Sequence, residues 1–265
     1  MNYNYRFTCV LIATSLFLLN VSVKAQSLAT HGDSSVHLPQ RTGWVFEKWS
    51  ANDKVFPLIN KQLQKEILAS HDAVSITAAY GELFKKTPKS TVLLFKWGMS
   101  TYYASKTKSS TWFPTDSDLL LTSLDVIPSP HSFQYDRMRF LIQSHFRGEG
   151  FLKTMGLRLL KVNPGDDEVK SSMFPVLNIV GNPRDGQLAL DFANELIAKH
   201  PANPRWHAML GSTYNLISVR TNKRLDCEKA ITAYQDYLKL AKKTDPFYSH
   251  AEYMISVIKK NMPSI

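Results

Sequence analysis

The segment from Pro201 to Pro246, PANPRWHAMLGSTYNLISVRTNKRLDCEKAITAYQDYLKLAKKTDP, decides how the chain folds. Pro201 cannot continue a helix, Asn203 is a side-chain cap for the next one, and Pro204 suits a first helical turn. Trp206, Leu210, Gly211 and Tyr214 follow at helical spacing. After a basic segment, Ala230, Tyr234, Tyr237, Leu238 and Ala241 form a second apolar stripe. This spacing predicts two helices joined by a turn. Gly211 and Ala230 let the backbones approach, and the rings of Tyr214 and Tyr234 fill the space around them.

Outward from this segment the punctuation recurs. Prolines follow helix-like stretches at Pro88, Pro128, Pro164 and Pro201, with Pro246 in a related place, at intervals of 40, 36, 37 and 45 residues. Two residues after three of them stand Ser90, Asp166 and Asn203, all good helix caps, whereas Pro130 fills that slot after Pro128. Ten residues after Pro88 and Pro201 stand Gly98 and Gly211. Pro175 falls inside a predicted first helix, where it should kink the chain.

Leu210-Gly211-x2-Tyr214 followed by Ala230-x3-Tyr234 resembles the tetratricopeptide repeat, whose unit is about 34 residues. Trp206 stands one place ahead of that motif's Trp, with His207 in its slot, and the loop between the helices is longer than the motif's. The resemblance implies an all-α, right-handed solenoid of helical hairpins. Pairs are expected at 54–87, 88–127, 128–163, 164–200 and 201–245, closed by a capping helix within 246–265. The last helix carries Ala251, Met254, Ile255 and Ile258 as its buried stripe.

Residues 1–25 read as a signal peptide: Arg6, an apolar run from Phe7 to Val23, and Val23-Lys24-Ala25 before the cleavage point. The expected destination is the periplasm or the extracellular space, with no stable membrane span once the signal is removed. Its loss takes away Arg6 and Lys24 and no acid, so the formal charge falls from +10 to +8. Cys227 is then the only cysteine, so no internal disulfide holds the exported chain. An irregular leader with Trp44, Phe46 and Trp49 is expected over 26–53, the aromatics sealing the first end of the array.

Chemistry is sparse. The eight histidines make no H-E-x-x-H spacing, no cysteine pair is present to build a zinc site, and neither a G-x-S-x-G elbow nor a phosphate loop occurs. No catalytic residue, metal or cofactor follows from the sequence. Asp166-Asp167-Glu168 reads as helix capping and dipole pairing in preference to a cation site.

Two binding surfaces are expected instead. The predicted turns carry Lys106, Lys108, Arg147, Arg184, Arg220, Lys223 and Arg224. Stacked along one edge of a solenoid, with Trp112 as an apolar anchor, they would face an acidic partner; the plainer reading is a solvated loop edge. The longest turns are expected at 104–115 and 217–225. By the resemblance, the first helices line a groove, with Val92, Phe95, Met99, Tyr102 and Tyr103 in the second pair and Arg205, Ala208, Ser212, Asn215 and Leu216 in the last. Such a groove suits an extended peptide, although Phe95 and Met99 also read as core.

The reading is therefore an exported, monomeric, non-catalytic scaffold for a protein or peptide, not for nucleic acid. The alternative is a secreted helical hydrolase acting on glycan or peptide, with remote carboxylates the sequence does not reveal. If the signal reading is right, N-terminal sequencing of the exported protein starts at Gln26; a chain that still begins at Met1 contradicts it.

Overall fold

Ser90, Asp166 and Asn203 each open a helix, and each does so with its side chain. Ser90 Oγ accepts from the Leu93 amide at 3.3 Å, Asp166 Oδ1 from Val169 at 3.1 Å and Asn203 Oδ1 from Arg205 at 3.1 Å. Each bond satisfies one of the amides a helix start leaves without a partner. Ser132, which the proline register does not single out, does the same for Tyr135 at 3.2 Å.

The computed structural model describes residues 52–70, 72–107, 117–125, 127, 132–146, 151–180 and 183–263. Among them lie eleven α-helices and no strand. They are α1 (Phe56–Ala69), α2 (Ala73–Lys86), α3 (Thr91–Thr107), α4 (Ser117–Asp125), α5 (Phe133–Phe146), α6 (Phe151–Val162), α7 (Asp167–Val180), α8 (Pro183–Lys199), α9 (Pro204–Thr221), α10 (Arg224–Leu240) and α11 (Tyr248–Asn261). The signal peptide and the aromatic trio Trp44, Phe46 and Trp49 lie outside the described residues. The chain divides into two units, one ending at Phe146 and one beginning at Arg147. The division falls inside the expected pair 128–163, so α5 and α6 belong to different units.

In the first unit α3 is the central helix, packed by α1, α2 and α5 and more lightly by α4. Apart from the half-buried Lys96 and Lys106 its residues are mostly apolar or small, as a helix largely enclosed by others requires. Phe95 stacks on Phe56 at 4.5 Å between ring centroids, and Trp97 meets Phe84 at 5.5 Å on another flank. Gly98 lets α5 in: a Cβ there would stand 2.7 Å from Met138 Sδ and 2.8 Å from Ile142 Cδ1. Tyr103 donates to Asn60 Oδ1 at 2.9 Å, and Arg139 of α5 pairs with Asp125 of α4 at 3.0 Å. The expected hairpin of α1 with α2 is weak; α2 packs along α3 instead, because Gly81 admits the Trp97 indole at 3.0 Å.

In the second unit each helix packs on the next, from α6 through α11. The helix α7 runs through Pro175 and is tied to α8 by charges. Lys170, almost wholly buried, pairs with Glu195, and Lys199 bridges Glu195 at 3.1 Å and Asp167 at 2.9 Å. His200 Nε2 lies 3.1 Å from Asp167 Oδ2. Asp166-Asp167-Glu168 thus opens α7 by one cap and one ion-pair network.

The expected long turns begin later than the sequence implied, and the second is short. Helix α3 runs on to Thr107 and α9 to Thr221, so Arg220 lies in a last helical turn and only Asn222 and Lys223 join α9 to α10. Tertiary packing extends α9: Ser218 is buried, and Ile217 lies against the first turn of α8 at Gly186, 3.4 Å from where a Cβ would be. Asn222 then ends the helix in the left-handed conformation, with φ 52°.

The network fixes an acid dependence. Burial opposes ionisation of Asp167, but hydrogen bonds from Lys199 and His200 outweigh it and hold its carboxyl below the usual range. Glu195 is held low first by its hydrogen bond from Lys170 and then by Lys199, against burial. Both groups bind protons less readily folded than unfolded. Their contribution is therefore complete above the ordinary carboxylate range and disappears as pH falls through the folded-state values. Because both are partly exposed, the joint contribution is held to about 1 kcal/mol. Urea titrations of Asp167→Asn with Glu195→Gln should show that loss at neutral pH and a flatter decline towards pH 3 than the parent; an unchanged acid decline removes the network from the account.

Candidate functional site

The α9–α10 hairpin carries most of the sequence-singled residues that the structure describes. The two helices meet where Gly211 faces Tyr234: a Cβ on Gly211 would stand 2.9 Å from Tyr234 Cδ1, too close for any side chain without displacement. The Tyr234 hydroxyl lies 3.1 Å from Ser212 Oγ. Burial pushes the phenol up to about 12, against the Ser212 hydrogen bond, so it stays neutral and serves the packing. Cys227, Ala230, Ile231 and Tyr237 carry the same core onward to Ala251, Met254 and Ile258 of α11. Tyr237 donates to Asp245 at 2.6 Å, and Asp245 also accepts from the Phe247 amide at 2.9 Å ahead of α11.

In the second pair the expected groove is not an open lining. Phe95, Met99, Tyr102 and Tyr103 are all buried in the first unit, because α3 is surrounded and has no concave face to present. In the last pair Asn215 is also buried, with no acceptor for Nδ2 among the described residues, and Ala208 is core. Of the groove residues on α9, Arg205 is exposed beside the Trp206 ring and Ser212 is half-buried and engaged with Tyr234.

The basic positions fare differently from one another. Lys106 lies 4.2 Å from the Tyr102 ring centroid and is half-buried, a cation–π contact of the first unit. Lys108, Trp112 and Arg147 lie outside the described residues. Arg184, Arg220, Lys223 and Arg224 are exposed in the second unit. Arg224 pairs with Glu228 at 2.8 Å.

A feature that residue reading did not find is a cleft of about 360 Å³ on the seam of α9 and α10. Leu210, Tyr214, Leu225 and Ala233 give it an apolar floor, and Glu228, Lys229, Thr232 and Asp236 stand around it. Lys229 lies 5.4 Å from the Tyr214 ring. In sequence, Leu210 and Tyr214 read as core. Only the short connection, which brings Leu225 and Lys229 opposite them, turns their flank into a recess.

Among the described residues no group of three or more His, Cys, Asp or Glu could hold a metal ion, and no helix is long and apolar enough to cross a membrane. Comparison with protein-family models, with curated proteins and with solved structures finds no match.

Proposed function

We propose that this protein is an exported, non-catalytic helical scaffold of tetratricopeptide-like hairpins that binds a protein or a peptide segment as a monomer. The observation that carries this reading is the α9–α10 cleft. An apolar floor with a charged rim is the form in which a surface takes one anchoring side chain of a partner and excludes water around it. Support for the hairpin part comes from Gly211 and Ala230, which sit where two helices approach closest, and from α11, which covers the apolar side of α10.

A recess of this size takes a side chain or two of the partner, and its lining suits an apolar anchor. The rim charges are mostly engaged: Glu228 with Arg224 at 2.8 Å and Asp236 with Lys239 at 2.7 Å. They set orientation more than affinity.

The test is capture from envelope extracts with the full chain as bait, beside a Thr232→Trp bait whose indole plugs the cleft. Thr232 is exposed, so the substitution leaves the core untouched. The expected result is a protein retained by the parent at both low and high salt and lost from the Thr232→Trp bait. Equal retention by the two baits, or none by either, contradicts the reading.

A further inference from the structure

Four helix ends of the second unit meet on one side of it. The connections at 200–203 and 241–247 are short, and α9 passes to α10 through Asn222 and Lys223, so α8, α9, α10 and α11 run alternately up and down. Gly186 at the start of α8 lies against Ile217 near the end of α9, and Phe247 before α11 lies against Tyr237 near the end of α10. The starts of α8 and α10 and the ends of α9 and α11 therefore share one end.

That end is basic. Arg220, Lys223, Lys259 and Lys260 are exposed there, and none makes an ion pair among the described residues. Arg224 joins them with its Glu228 partner, and Arg184 stands at the same end with contacts of its own. Of the acids nearby, Asp185 is buried against Lys153 and Glu228 pairs with Arg224, while Asp226 keeps its charge and accepts from the Thr221 hydroxyl at 2.7 Å, so cations remain in excess. Among these cations Leu225 is 59% exposed.

Helix electrostatics explains part of this pattern and fails on the rest. Arg220, Lys259 and Lys260 lie in last turns, where a cation complements the negative end of the helix dipole. Lys223 and Arg224 open α10 at its positive end, where a cation is disfavoured, and Lys223 makes no side-chain capping bond. A Ser, Thr, Asp or Asn there would hold the helix better. Local choices that oppose the fold concentrate at working surfaces. Cations set on helix ends that share one side, none of them lining the cleft, with the exposed leucine of its rim among them, fit a broad anionic surface that also takes up an apolar side chain. That is the interface of an anionic bilayer.

We propose that this end of the second unit docks on anionic lipid headgroups, through Arg220, Lys223, Lys259 and Lys260, with Leu225 entering the headgroup layer. Leu225 also lines the peptide cleft, but none of the four cations does, so the two fail separately: plugging the cleft with Thr232→Trp leaves the salt-dependent docking through those cations intact.

The test is co-sedimentation of the full chain with vesicles of phosphatidylcholine containing phosphatidylglycerol, against phosphatidylcholine alone, at low and high salt. Binding is expected only to the anionic vesicles and is weakened by salt. Each cation held at the surface is worth roughly fivefold in partitioning, so Lys259→Gln with Lys260→Gln should weaken binding more than tenfold. Lys242→Gln with Lys243→Gln, the same charge change between α10 and α11 at the opposite end, should leave it within about twofold. Lys223→Asp guards against misfolding: it supplies a cap and should raise the thermal midpoint while weakening binding. Absence of anionic-vesicle binding at low salt overturns the proposal, and so does an equal loss from the Lys242 and Lys243 changes. Retention on immobilised polyglutamate without vesicle binding overturns it in favour of an acidic polypeptide.

Discussion

The close approach of α9 and α10 at Gly211 is the constraint on which the second unit depends. With no side chain at Gly211, the face of Tyr234 comes to rest on the α9 backbone, and the phenol reaches Ser212 at 3.1 Å. That contact sets the spacing of the hairpin, and the spacing sets what lies on each flank. On one flank Cys227, Ile231 and Tyr237 present a surface that α11 covers; on another, Leu210 and Tyr214 face Leu225 and Ala233 across a gap that no described helix fills. Core and cleft are two consequences of one contact. The first unit uses the same device at Gly98, where α5 settles onto α3.

Charge is deployed in two different ways on the same scaffold. Between α7 and α8 it is internal. Lys170, Glu195, Lys199 and Asp167 satisfy one another, and pairing holds both carboxylates ionised below their usual range even where burial opposes it. At the shared end of α8 to α11 cations outnumber acids, and four of them face solvent. Lys223 and Arg224 sit there against the field of their own helix. The first arrangement serves stability, and the second opposes it locally.

Local signals in the sequence carried through to the structure, and non-local ones did not. Ser90, Asp166 and Asn203 cap helices because a cap bond spans no more than four consecutive residues. The all-helical content follows from apolar spacing of the same short range. The role of Phe95, Met99, Tyr102 and Tyr103 depended on how many helices surround α3, which no spacing within α3 reveals. The basic segment after Tyr214 read as loop because Arg220, Asn222 and Lys223 are turn-like in isolation. Packing of Ile217 on α8 draws α9 out to Thr221 and moves Arg220 into a helix. Lys259 and Lys260 escaped notice beside Arg220 and Lys223 because they are far away in sequence and come to the same end only when α11 folds back along α10. The cleft was hidden because the short connection that brings Leu225 and Lys229 opposite Leu210 and Tyr214 read as a longer loop.

The contact between Gly211 and Tyr234 is the most direct point at which to test this account, by a double-mutant cycle in urea. Gly211→Ala alone should destabilise the protein by about 1–3 kcal/mol, since the new methyl has no space against the ring. In a Tyr234→Leu background the ring is gone, and the same substitution should cost markedly less, leaving a coupling energy of about 1 kcal/mol or more. Equal costs in the two backgrounds would mean that the ring does not limit the approach of the helices, and the account of the hairpin, its core and its cleft would fail together.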